Sequence, residues 1–136
     1  MKRRYVVLIL AVFCLVLAIG SIALARPTGF YMSMPTFGHK TMASGTKLMG
    51  GEDYNYWEIF LNENVEHSNT LITMWCDVEG TKASNDVSLY PGGHDVKRYD
   101  VRAPQVSERM ELRVKSSGIG GWYLSGSVDF DHYQQP

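Results

Sequence analysis

The chain has 136 residues, 45% of them hydrophobic and 20% charged, with 13 Lys and Arg against 14 Asp and Glu. Neither sign gathers into a long block, which argues against a nucleic-acid partner and against simple docking on anionic lipid, since both need a basic patch. The length fits one domain large enough to bury a core without covalent staples.

The N-terminus opens with Lys2-Arg3-Arg4 and an apolar run from Tyr5 to Ile19. The run continues through Gly20 and Ser21 to Leu24 and closes on Ala23-Leu24-Ala25. A cationic start, an apolar stretch and a small-residue triplet follow one another in a secretory signal. The sequence therefore predicts a signal peptide over 1–25, cleaved after Ala25, and a single exported domain over 26–136. A second reading stays open. Val6 to Leu24 is 19 residues, enough to span a bilayer core of ~30 Å. A retained anchor over residues 5–24, its basic end inside, leaves the domain in the same compartment. The leader holds three of the basic residues and none of the acidic ones. The remaining 111 residues thus carry ten against fourteen, a formal charge of −4.

Beyond the leader, alternation and turn residues mark strands. The first two fall around Phe30–Phe37 and Lys40–Leu48. Tyr54–Leu61 turns Trp57, Ile59 and Leu61 to one face. Thr70–Glu79 is the central candidate, with Ile72, Met74, Cys76 and Val78 on one side and a mixed Leu71, Thr73, Trp75 and Asp77 on the other. A short strand at Val87–Tyr90 and one at Val96–Val101, separated by Pro91-Gly92-Gly93, are expected to pair. Ala103-Pro104-Gln105 then makes a crossing connection. Arg109–Lys115 alternates most cleanly, with Met110, Leu112 and Val114 inward. Ser116 to Gly121 breaks the pattern, and Trp122–Phe130 follows with Trp122, Leu124, Val128 and Phe130 inward. These last two strands are expected to form a hairpin, with a bulge or close backbone approach at Gly126. The tail from His132 to Pro136 is expected to fray. No segment keeps helical periodicity over three turns. The fold expected is all-β, a small antiparallel sandwich of seven or eight short strands.

Cys76 is the sole cysteine after the leader, since Cys14 lies within it. No internal disulfide can form, and no Asn-x-Ser/Thr sequon occurs. Both features favour a bacterial exported protein over a eukaryotic one. On its apolar strand face Cys76 reads as a small buried side chain rather than a reactive thiol.

Sites of chemistry are sparse. His39, His67, His94 and His132 show no metal-ligand spacing and fall in turns or at ends, where solvated histidine is the expectation. His94-Asp95 is the most suggestive pair, because an Asp can orient an imidazole. Adjacent strand residues face opposite ways, however. Asp129 and Asp131 share a strand face about 7 Å apart. Two carboxylates suit calcium weakly, and a solvated acidic face is the plainer reading. Paired-carboxylate glycoside hydrolysis needs a cleft that a small sandwich seldom has. There is no Gly-x-Ser-x-Gly elbow, and Gly118-Ile119-Gly120-Gly121 lies between strands rather than before a helix. The expectation is a non-enzymatic protein with no catalytic residue, cofactor or resident metal. Aromatics are the better lead: Tyr54, Tyr56 and Trp57 cluster, and Trp75 and Tyr123 fall on the more polar faces of their strands. Flat exposed rings stack on sugars or anchor protein partners.

The order of parts also carries a family likeness. A leader precedes a Gly/Thr/Ser-rich first half, a central apolar strand at Thr70–Glu79, the alternating Glu111-Leu112-Arg113-Val114, and a terminal Trp122-Tyr123-Leu124-Ser125-Gly126-Ser127-Val128-Asp129. This layout resembles a family of short exported Gram-positive proteins of unknown function. In size and secretion these are similar to bacteriocin-like or bacteriocin-associated products. The resemblance implies an extracellular interaction protein and transfers no catalytic residue. The expected partner is thus an extracellular protein or a cell-envelope component. A carbohydrate- or cell-wall-binding module using the aromatics is the alternative.

Overall fold

The structure, a computed structural model, describes residues 27–135. The leader, with its predicted cleavage site or anchor, lies outside the described residues. Among those residues no helix is long and apolar enough to cross a membrane. Among the described residues nine strands form two antiparallel sheets: β1 (Thr28–Ser33), β2 (His39–Thr46), β3 (Tyr56–Leu61), β4 (Ile72–Val78), β5 (Thr81–Lys82), β6 (Val87–Leu89), β7 (His94–Arg98), β8 (Arg109–Lys115) and β9 (Tyr123–His132). Sheet I has the order β1-β9-β3-β7. Sheet II has β2-β8-β4, with β5 and β6 both on the free edge of β4.

Strict alternation builds the core. Met110, Leu112 and Val114 of β8 meet Val78, Cys76 and Met74 of β4 in register, and all six are fully buried. Trp57, Ile59 and Leu61 of β3, with Leu124, Val128 and Phe130 of β9, supply the facing layer. One hydrophobic cluster joins the inner faces of both sheets. Burying apolar side chains at period two is what these strands gain by facing each other.

Two expected pairings are corrected. β8 and β9 do not form a hairpin, because β8 lies in sheet II and β9 in sheet I. Likewise β6 pairs with β4, whereas β7 pairs with β3. Apart from the run β4 to β6, every connection passes from one sheet to the other. The Gly-rich segment at 116–121 and Pro91-Gly92-Gly93 do reverse the chain, but as arches over the end of the sandwich. The crossing at Ala103-Pro104-Gln105 is as read. The tight two-residue hairpin is Glu79-Gly80, which joins the paired Val78 and Thr81 with φ of 49° and 78°. Positive φ at both central residues marks the turn that suits strand twist.

Gly126 makes the close approach expected of it. A Cβ there would lie 2.1 Å from the Phe60 carbonyl oxygen and 3.0 Å from the Phe30 ring. The tail does not fray before residue 135. Tyr133 packs its ring 5.3 Å from that of Tyr54, and the Gln134 amide donates to the Asp53 carbonyl at 2.9 Å.

Candidate functional site

The outer face of sheet II carries a framed indole. Alternation along β4 turns Thr73, Trp75 and Asp77 outward, opposite the buried Met74, Cys76 and Val78. Register then sets Arg113 across from Trp75 on one side and Lys82 across from Asp77 on the other. The Trp75 Nε1 donates to Asp77 Oδ1 at 2.8 Å. The Lys82 ammonium lies 5.4 Å from the ring centre, and the His39 ring meets the indole edge-on at 5.6 Å. The Arg113 guanidinium donates to Thr41 and contacts His39, while its Nε approaches Asp77 at 3.7 Å. That Nε is buried and makes no hydrogen bond with the described residues. His39, Trp75, Asp77, Lys82, Glu111 and Arg113 line an open depression of about 610 Å³. An apolar flat surface ringed by donors and acceptors of both signs suits a polar ligand with one flat face.

The outer face of sheet I carries a different group. β9 has a register break against β3: Tyr56 pairs with His132, but Glu58 pairs with Asp129. Trp57 is therefore opposed by two residues, Phe130 and Asp131, the arrangement of a β-bulge. Past the bulge the alternation changes phase. Asp129 and His132, three residues apart, come to share the outer face with Glu58. Their ligating atoms all lie within 4.8 Å of one another. Glu58 bridges two imidazoles, with Oε1 2.8 Å from His94 Nε2 and Oε2 3.1 Å from His132 Nδ1. His94 also stacks on Phe60 at 4.1 Å. Partial burial pushes the Asp129 carboxyl above its usual range. The Asp131 amide, donating to it at 2.9 Å, opposes that shift, and the charges of Asp131 and Glu58 add to it.

The same bulge turns Asp131 inward, which corrects the expectation of a solvated acidic face shared by Asp129 and Asp131. Asp131 accepts from the Leu48 and Met49 amides and lies 3.2 Å from the Lys47 ammonium, with only 4% and 2% of the two side chains exposed. Lys47 also donates to the Tyr54 and Phe130 carbonyls at 2.6 and 2.7 Å. The Tyr99 hydroxyl donates to the same Phe130 carbonyl at 2.9 Å. Burial lowers the Lys47 ammonium below its usual value, against the pull of Asp131. Every polar atom of the pair that matters is answered, so this is a structural tie between the sheets. Burial likewise raises the Cys76 thiol well above its ordinary value, which removes the thiolate a reactive cysteine needs.

The five aromatic candidates do not converge. Trp57 is 0% exposed and belongs to the core, so it is no binding ring. Tyr54 and Tyr56 are half-buried at one end of sheet I. Tyr123, 51% exposed, stacks on Tyr31 at 4.8 Å on the outer face of that sheet. Trp75 stands alone on sheet II. The histidines are more engaged than solvated loop residues would be. His67 stacks on Trp122 at 4.2 Å, and the other three sit in the two groups above. His94 works with Glu58 rather than with Asp95, whose carboxylate caps the Val96 amide.

Compared with known proteins, the chain matches no family model, no curated protein and no solved structure.

Proposed function

We propose that the protein is an exported, non-enzymatic binding module that holds an envelope polysaccharide at Trp75 on the outer face of sheet II. The observation that carries this reading is the indole set in an open depression and ringed by Asp77, Lys82, Arg113 and His39. A sugar ring offers C–H groups to the indole and hydroxyls to the surrounding donors and acceptors. Export rests on the basic-apolar-Ala-x-Ala order of residues 1–25. N-terminal sequencing of protein recovered outside the cell should begin at Arg26.

The test of the site is sedimentation with purified cell walls. Trp75→Ala should weaken retention at least about ten-fold, the loss of one well-seated aromatic anchor. Its circular dichroism should be unchanged, because the side chain faces away from the core. Retention equal to the parent protein would remove the reading.

A second reading, a bacteriocin-like or bacteriocin-associated factor acting on an extracellular protein, draws on the other face. There Tyr31 is 70% exposed beside Tyr123, and Phe60 is 44% exposed. In that case Tyr123→Ala, not Trp75→Ala, reduces binding to cells.

A further inference from the structure

We propose that Glu58, Asp129 and His132 form a binding site for a borderline divalent cation of the Zn²⁺ class, with His94 holding Glu58 from the neighbouring strand. The site lies on the opposite face of the protein from Trp75 and does not depend on the polysaccharide reading.

The bulge in β9 gathers the donors. In a regular strand, Asp129 and Asp131 would point one way and His132 the other. The extra residue opposite Trp57 reverses that, and it puts an imidazole and two carboxylates from two neighbouring strands around one point. The neighbouring strand β7 sets His94, paired in register with Phe60, against Glu58 Oε1 at 2.8 Å, where it orients that carboxylate. Three donors thus come from two adjacent strands, β3 and β9, paired in one backbone ladder.

An ordinary ion-pair cluster explains only part of this. Glu58 with two imidazoles satisfies itself. Asp129 does not fit that account, because it enters no ion pair with a described residue and has one backbone amide as its hydrogen-bond donor. Its carboxylate faces that of Glu58 within the same 4.8 Å. Two carboxylates thus share one point with the His132 ring. A cation placed there answers both carboxylates and the His132 ring nitrogen.

The donor set chooses the metal. One imidazole nitrogen and two carboxylate oxygens suit Zn²⁺, Co²⁺ or Ni²⁺, whereas Ca²⁺ and Mg²⁺ prefer oxygen alone. Ligands within 4.8 Å of one another need to close by roughly 1 Å to reach bond lengths of about 2.0–2.2 Å on a common ion. Side-chain rotation supplies that movement. Glu58 and His132 are about one-fifth exposed and His94 nearly half. The ion would thus be reachable from solvent, with room for a water or a ligand oxygen.

Isothermal titration of the full chain, stripped by chelator and dialysed, tests the site with ZnCl₂, CaCl₂ and MgCl₂. The expected result is one Zn²⁺ per chain, a raised thermal midpoint with Zn²⁺, and no response to Ca²⁺ or Mg²⁺. Co²⁺ should give the visible absorption of a nitrogen- and oxygen-ligated ion. His132→Ala and Asp129→Asn should each weaken Zn²⁺ binding at least about ten-fold. His67→Ala, a histidine outside both this cluster and the Trp75 site, should leave it unchanged. Both cluster variants change outward side chains, and circular dichroism shows whether each is folded. Should His132→Ala fail to fold, Asp129→Asn carries the test. The proposal falls if Zn²⁺ does not bind, if Ca²⁺ binds as well as Zn²⁺, or if folded cluster variants bind Zn²⁺ as tightly as the parent chain.

Discussion

Asp129 and Asp131 are two residues apart on one strand and lead opposite lives. Asp131 is turned inward, receives two backbone amides and pairs with Lys47. Asp129 is turned outward, receives one amide, and faces another carboxylate. The first is a satisfied buried charge, and removing its partner strands it. The second is a charge the fold tolerates at a cost, which its upward-shifted carboxyl records. Identical chemistry therefore becomes a structural tie or a candidate ligand according to which side of a bulge it falls on. Unanswered charge, more than the presence of charge, separates the two roles.

The largest test of this contrast is to orphan the inner carboxylate. Lys47→Met leaves Asp131 buried without its cation and should cost about 3–5 kcal/mol, the range for breaking a buried ion pair from one side. Urea titration measures it. A loss below about 1 kcal/mol would mean that the two backbone amides alone hold Asp131. A core cavity sets the scale for comparison. Leu112 is fully buried, and Leu112→Ala should cost about 2–5 kcal/mol. Glu111→Ala, one residue away on the outer face, should cost about 0.5 kcal/mol or less. Equal losses at 111 and 112 would contradict the period-two burial of β8.

The smallest effect sharpens the other half of the contrast. Asp129 has a raised folded value, so the native state binds this proton more tightly than the unfolded chain. Its contribution to stability is full below the unfolded value and is lost as pH rises through the folded one. In metal-free buffer at neutral pH, Asp129→Asn should therefore be at least as stable as the parent chain. The difference should shrink as pH falls through the raised value and the parent's carboxyl also becomes neutral. Thermal melts between acid and neutral pH check it. A marked destabilisation by Asp129→Asn at neutral pH would make Asp129 structural, as Asp131 is.

Much of the inside of this protein was legible in its residues. Met110, Leu112, Val114, Ile72, Met74, Cys76 and Val78 announce their buried face by alternation, and Trp75 its outer one. Period two is a local property, written in a few consecutive side chains, and burial of the apolar face enforces it. The partner of each strand is a different matter. Glycine and proline mark where the chain reverses, but the same turn residues serve a hairpin and an arch between sheets. That choice depends on which apolar faces must cover each other, so β8 and β9 ended in separate sheets. The bulge opposite Trp57 is decided in the same way. It is a mismatch between two strands distant in sequence, invisible within either one. Lys47 and His132 consequently could not be assigned their places from sequence alone. Tertiary pairing sent Asp131 in to meet the lysine, and brought His132 out beside Glu58 and Asp129.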